Sequence, residues 1–326
     1  MSKNSIAPLQ DTLVLGDLHI VVKDGNTSFE TIRLTRLVKE ILKVVDKNTL
    51  LVFAGDTFDK NRPSLEEIKL FYYLVEKLQK KVKDIIVIAG NHDKTTFNYL
   101  PASGFTFIAE PEVMYGIQFI PWTHIHSFVD AVDEISSIQV CISHARCTLN
   151  DFIKEEVDLT KLSAVFSKII LGDIHYFHKP KSNIHYTSSP SSTVFTQYKE
   201  NMNGFIKITP NLQVEEYSIN IPRRELVVFN SVKASENFKI QKDNLYKFRI
   251  LDSLENLQVI DRTKDTNVSY ELIPKVAEEK INTSYQEQLA KSVYEQLMDH
   301  MKKFTFSSEL QLTAINRLKA FQHKRK

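Results

Sequence analysis

The feature that most constrains this chain is a short apolar run that recurs five times and stops each time at a polar cluster. Residues 12–15 lead into GDLH, 49–54 into GDTFD, 85–89 into GNHD, 139–142 into SHARC and 168–171 into GDIH. Apolar runs this short, without a polar alternation, suit strands covered on both faces. Helical patterns lie between them. Over residues 28–45, Phe29, Ile32, Val38, Ile41, Leu42 and Val45 fall on one face. After Pro63, Ser64 and Glu67 read as a capping box opening a helix that turns Leu65, Ile68, Phe71, Tyr72, Val75 and Leu78 inward. Strands alternating with helices over short connections predict a layered α/β core, with a ligand site beyond the carboxyl ends of the strands.

From residue 184 to 217 the pattern changes to short strands and turns, including a strand over 204–208, and completes a first domain over 1–217. Segments 225–232, 245–251 and 257–261 read as a smaller α/β unit within 218–274. Residues 275–326 read as two helices, with Tyr285, Leu289, Val293, Leu297 and Met301 on one face and Leu310, Leu312, Ile315, Leu318 and Phe321 on the other helix. Such narrow apolar faces suit a partner, or packing on each other.

Composition enters mainly by exclusion. At 42% apolar and 25% charged residues the chain has the makeup of a globular protein, and a net charge of +2 excludes a broadly basic nucleic-acid-binding surface. Attraction to nucleic acid would need local patches or bound metal. Two cysteines, Cys141 and Cys147, are too few for a disulfide framework and fit a reducing cytoplasm. The first residues carry no export pattern, and no run reaches the length of a membrane span, so a cytoplasmic protein is expected.

The chemistry lies at the strand ends. Asp17, His19, Asp56, Asn91, His92, His144, Asp173 and His175 offer carboxylate, amide and imidazole groups, a set that suits manganese, zinc or iron better than a thiolate-held structural zinc. Two such ions about 3.5–4 Å apart can orient a phosphate and offset charge in an in-line displacement. Each fragment alone is weak, but the ordered set of five is rarely assembled by chance.

GDLH (Gly16–His19), GDTFD (Gly55–Asp59), GNHD (Gly90–Asp93) and His144 in ISHA resemble the calcineurin-like metallophosphoesterases. Three further features are similar to the SbcD-type nuclease branch: RPS at Arg62–Ser64, IPW at Ile120–Trp122, and Tyr186 followed closely by SSP. The resemblance covers residues 13–208 and suggests a divergent member of the kind a large bacteriophage encodes, acting in its host's cytoplasm. It implies one metal held by Asp17, His19, Asp56 and His175, and a second by Asp56, Asn91, His144 and Asp173, with Asp56 as the bridge. Manganese is implied, with magnesium as the alternative. His92 would protonate the departing sugar oxygen. Apart from the resemblance, Arg62, just after the second motif, suits either a substrate phosphate or a solvated place in its loop. Asp59 and Asp93 would orient the ligand loops. The fifth motif departs from the GHxH usual in the family, because a carboxylate, Asp173, replaces an imidazole.

The implied activity is DNA exonuclease and endonuclease cleavage, with residues 218–274 angling the DNA and 275–326 binding an SbcC-type coiled-coil ATPase. ATP coupling would come from that partner, since the chain has no GxxxxGK[ST] loop. A homodimer is compatible with the family pattern, and no membrane partner is implied. Two other readings stay open: a small-molecule phosphodiesterase or phosphatase, and an inactive scaffold for DNA and the ATPase.

Overall fold

A computed structural model of the chain describes residues 10–22, 27–130, 138–146, 159–190, 203–262 and 267–274. The five apolar runs are strands. Chain order begins β1 (Thr12–Leu15), β2 (Leu50–Ala54), β3 (Asp84–Ile88) and β4 (Thr106–Ile108), paired in parallel in that order. Next come β5 (Glu112–Met114), β6 (Ile117–Ile120), β7 (Val140–His144), β8 (Lys168–Gly172), β9 (His178–Lys181) and β10 (Ile184–Tyr186), a second sheet ordered β5-β6-β7-β8-β10-β9. Its inner strands β6, β7, β8 and β10 are parallel. Strands β11 (Gly204–Ile208) and β12 (Val214–Ser218) return antiparallel to the free edge of β1, so the first sheet reads β12-β11-β1-β2-β3-β4.

Side-chain alternation explains the unbroken apolar runs. Val14, Val52, Ala54, Ile86 and Ile88 of the first sheet share one apolar layer with Phe119, Val140, Ile142 and Ile170 of the second. Residues one step along, Leu13, Leu15, Leu51, Phe53, Ile85 and Val87, turn outward to pack with helices α1 (Thr27–Ile41) and α2 (Leu65–Leu78). On the far side of the second sheet, Cys141, Ile169, Leu171 and Ile184 meet α3 (Ile125–Asp130) and α4 (Leu159–Val165) through Ile125, Val129 and Leu162. The result is a four-layer helix–sheet–sheet–helix core, the layered α/β class expected.

The capping box at Ser64 is present in full, the Glu67 amide donating to its hydroxyl and its own amide donating to Glu67. Glu67 also accepts from the Val22 amide at 3.0 Å, which ties the start of α2 to the chain beyond the first polar motif. The buried stripes differ from those expected. In α2 it is Leu70, Phe71, Leu74, Val75 and Leu78, while Leu65, in the first turn, is exposed. In α1, Leu34 and Leu37 are buried and Ile32 is not, and neither is Leu42 just after the helix.

Helix α1 also buries Glu30 and Arg33. Glu30 accepts from Arg33 at 2.8 Å and from Arg224 at 2.8 Å, and Arg33 donates on to the Leu18 carbonyl at 3.2 Å. The buried carboxylate is thus shared by two guanidiniums, one of them almost two hundred positions away, a contact that apolar periodicity could not signal.

Two compact units are distinguished, Met1–Ile250 with Asp261–Glu271, and Leu251–Ile260 with Leu272–Lys326. The strands after the core are β13 (Arg224–Phe229), β14 (Leu245–Asp252) and β15 (Val268–Pro274), a three-stranded sheet in that order, with α5 (Val232–Glu236) between the first two. In the second unit the described residues include α6 (Leu254–Gln258), capped by Ser253 accepting from the Asn256 amide. The segment 257–261, read only as part of a small α/β unit, begins in the end of this helix, for which Ser253 supplies the N-cap, and β15 was not read from the sequence. The predicted terminal helices lie outside the described residues. Among the described residues no helix is long and apolar enough to cross a membrane.

Candidate metal centre

All five polar clusters converge where the carboxyl ends of both sheets meet. Sheet one supplies Asp17 and His19 after β1, Asp56 after β2, and Asn91 and His92 after β3. Sheet two supplies His144 at the end of β7, and Asp173 and His175 after β8. Asp17, His19, Asp56 and His144 are buried, at 0–2% exposure, whereas His92 and His175 are exposed.

The loops adopt an unusual backbone to aim these groups. Asp17, His19, Asp56 and Asp173 have φ of 54°, 42°, 50° and 97°. Left-handed conformations at non-glycine residues cost on the order of 1–3 kcal/mol each and cluster at functional sites. Gly55 has φ 86°, and a Cβ there would fall 2.3 Å from His144 Nδ1, so only glycine lets the imidazole lie against the loop. A Cβ on Gly90 would lie 2.1 Å from Asp56 Oδ1.

Three groups of side chains bring ligand atoms within 4.8 Å of one another: Asp17, His19 and His175; His19, Asp56 and His92; and Asp17, Asp56 and His144. Nε2 of His19 and Nε2 of His175 are 3.1 Å apart. His144 Nδ1 donates to the Ala54 carbonyl at 2.9 Å, which directs Nε2 into the centre, 3.1 Å from Asn91 Oδ1 and 3.5 Å from Asp56 Oδ2. Acceptors facing one another at such distances repel unless a cation or a proton lies between them.

Ionisation follows the same logic. Burial pushes the Asp17 carboxyl up to about 6, against the pull of His144 and His19. Burial alone would lower His144, but Asp56, Asp17 and Asp173 together hold it up, at about 9. His175, which still reaches solvent, is depressed to about 4 by partial desolvation and by neighbouring His19. A buried carboxylate that resists ionising beside an imidazole that holds its proton marks a site short of positive charge, and its hard and borderline O/N donors fit a divalent first-row ion.

Nearby residues brace the loops. Asp93 is buried and accepts from the Gly90 amide at 2.8 Å and the Phe58 amide at 3.1 Å, joining the second and third motifs. The Asp59 carbonyl accepts from His92 Nδ1 at 2.9 Å, and its carboxylate lies 3.4 Å from His19 Nδ1. The Trp122 amide donates to Ala89 at 3.1 Å, so the IPW segment supports the third motif. Arg62 is exposed, as is His126, and His124 pairs with Glu110 at 3.2 Å.

Asp173 is the exception. It belongs to none of the three ligand groups, and its carboxylate meets Arg146 in a fork, Nε to Oδ2 at 2.7 Å and Nη2 to Oδ1 at 3.0 Å. Its amide instead faces the centre, donating to Asp17 Oδ1 and Oδ2 at 3.1 and 3.0 Å. Arg146 was not singled out in the sequence. An arginine two residues past the fourth motif, set against an acid in place of an imidazole in the fifth, was the available signal.

Residues 11–206 match the family described as calcineurin-like phosphoesterase, more than half of the chain. The chain belongs to the calcineurin-like phosphoesterases. An exonuclease subunit of Escherichia phage T5 is 27% identical over 184 residues, 51% of this chain and 54% of that protein. This chain thus spans about half the length of that relative. Phosphoesterase 078R of Invertebrate iridescent virus 3 is 21% identical over 282 residues, covering 77% of this chain and 79% of the other. Among solved structures, a nuclease of Pseudomonas putida is 13% identical over 63% of this chain and 87% of its own, with a TM-score of 0.31, too low to add to the assignment. The family is one of phosphoester hydrolysis at divalent metal, and the clustered carboxylates and imidazoles of this chain are candidate ligands for such an ion.

Proposed function

We propose that the chain is a metal-dependent DNA nuclease subunit of the SbcD kind, hydrolysing phosphodiester bonds. The observation that carries this reading is the buried cluster of Asp17, His19, Asp56 and His144 with two imidazoles, His92 and His175, exposed beside it. The likeness to a phage exonuclease subunit supports DNA as the substrate.

Asp17, His19, Asp56 and His175 would hold one divalent ion, and Asp56, Asn91 and His144 a second, with manganese expected and magnesium tolerated. Such ions supply the positive charge that an in-line displacement at phosphorus needs and make nearby water more acidic. Hydrolysis adds water to phosphorus, breaks the bond to the departing sugar oxygen and places a proton on that oxygen. His92 is built for the last task. Its Nδ1 is committed to the Asp59 carbonyl, so the transferable proton belongs on Nε2, 4.0 Å from Asp56 Oδ2. Arg62 would approach a substrate phosphate further out. Residues 218–274 would angle the DNA, and 275–326 would bind an SbcC-type ATPase.

The test is manganese-dependent cleavage of an end-labelled duplex by purified protein, beside a chromogenic phosphodiester and a phosphomonoester, with His92→Ala as control. Cleavage of duplex and diester, abolished in the variant, is the expected result. Turnover of the small esters alone would replace the nuclease reading with a small-molecule phosphodiesterase. DNA binding with metal bound and no turnover, even with an ATPase partner supplied, would leave a scaffold.

A further inference from the structure

We propose that Asp173 is not a metal ligand in this protein but the positioning residue for Arg146, whose guanidinium is a fixed cation for the substrate phosphate. The proposal rests on the phosphodiesterase reading above, and four observations carry it.

First, both Asp173 oxygens are committed to one guanidinium, in the planar two-bond geometry that holds arginine most firmly. Second, among the described residues no group of converging ligand atoms includes Asp173, although its neighbours Asp17, His144 and His175 all take part. Third, Asp173 adopts φ 97°, and its amide is drawn to Asp17, so the strained turn presents the amide to the centre and leaves the carboxylate to reach Arg146. Fourth, exposure is divided between the partners: the Asp173 side chain is 5% exposed and that of Arg146 is 42% exposed. A buried acid holds a cation that still reaches solvent.

The position is also right for a diester bound at the centre. Asp173 Oδ1 lies 3.9 Å from His144 Nε2, which is 3.5 Å from Asp56 Oδ2, so the guanidinium sits one side chain outward from the buried acids. There it can donate to a non-bridging phosphate oxygen and balance charge that a ligand at position 173 would otherwise have addressed through metal. A preorganised donor of this sort acts where charge develops, without rearrangement.

The experiment compares wild type with Asp173→Asn, Arg146→Gln, Arg146→Lys and the Asp173→Asn/Arg146→Gln double variant. Manganese content and affinity are measured by equilibrium dialysis. Binding of inorganic phosphate and of a phosphorothioate duplex is measured with manganese present, and kcat and KM with the chromogenic diester. The expectation is that Asp173→Asn keeps the wild-type number of manganese ions and their affinity within about twofold. Both single variants should weaken phosphate and duplex binding about tenfold, Arg146→Lys should recover part of it, and the double variant should be no worse than Arg146→Gln, as for residues acting as one unit. Loss of a manganese ion in Asp173→Asn would overturn the proposal, as would unchanged phosphate binding in Arg146→Gln. If wild type turns over the diester but never cuts duplex, the nuclease reading fails, and the phosphate and manganese measurements still decide the role of Arg146.

Discussion

Replacing Glu30 by alanine should be among the most damaging single changes in this protein, although Glu30 lies outside the metal centre. The carboxylate is fully buried and holds Arg33 and Arg224, themselves 1% and 3% exposed, by contacts of 2.8 Å each. Its removal leaves two guanidiniums in a low-dielectric interior with no counter-charge. Breaking one partner from a buried ion pair costs about 3–5 kcal/mol, which lowers the folded-to-unfolded ratio by roughly a hundred to a few thousand fold. The exposed pair Arg36–Asp243, at 3.2 Å with side chains 54% and 40% exposed, is the internal control. Asp243→Ala there should cost no more than about 1 kcal/mol. Trp122 is the only tryptophan and is partly buried, so its fluorescence in a urea titration follows unfolding of the core. Replacing Glu30, Arg33 and Arg224 together by leucine, leucine and methionine should recover most of the loss, because the penalty is uncompensated charge and not missing attraction. A Glu30→Ala cost below about 1 kcal/mol, or a triple variant no better than Glu30→Ala, would refute the reasoning.

Three other outcomes are expected. Manganese affinity should rise with pH, since binding must expel the proton that His144 holds to about 9 and, in acid, the one that Asp17 holds to about 6. The slope should be about tenfold per pH unit just below 9 and steeper toward acid, where His19, which burial would lower but Asp59 and the nearby carboxylates hold above its usual 6.5, and then Asp17 also take up protons, and an affinity that falls with pH on dialysis would contradict this assignment. His92→Ala should slow hydrolysis of an unactivated diester by roughly 10²–10⁴ while manganese content stays at the wild-type level. A good leaving group such as nitrophenol should be hit much less, and an equal loss on both substrates would deny His92 the role of proton donor. Gly55→Ala, forced to φ 86° with its Cβ 2.3 Å from His144 Nδ1, should destabilise the fold by more than about 1 kcal/mol and weaken manganese binding as the imidazole is displaced, as thermal melting with and without the metal would reveal.

What could be read from the sequence follows from how local each feature is. Strands β1, β2, β3, β7 and β8 were legible because covering both faces demands an unbroken apolar run, and their ends were legible because polar loops must follow. The capping box at Ser64 and Glu67 needs only four residues to announce itself. Features that depend on distant partners stayed hidden: Glu30 and Arg33 look like solvent-facing positions until Arg224 closes the triad. Likewise nothing beside Asp173 in the sequence announces the fork it makes with Arg146, 27 positions earlier. For the segment 257–261, which the sequence placed only in a small α/β unit, the helix end is set by Ser253, a single cap ahead of it.

The centre straddles a seam. Asp17, His19 and Asp56 ride on one sheet and His144 and His175 on the other, and the apolar layer of Val14, Val52, Ile142 and Ile170 between the sheets sets the gap across which they face each other. That layer therefore acts as a spacer as well as a core. Trimming Ile142 to valine would cost folding only about 0.5–1.5 kcal/mol, yet a shift of about 1 Å between reacting groups can cost about a hundredfold in rate. The tolerance of this interior to change is consequently set by the alignment of two half-sites, and is much narrower than the stability of either sheet would require.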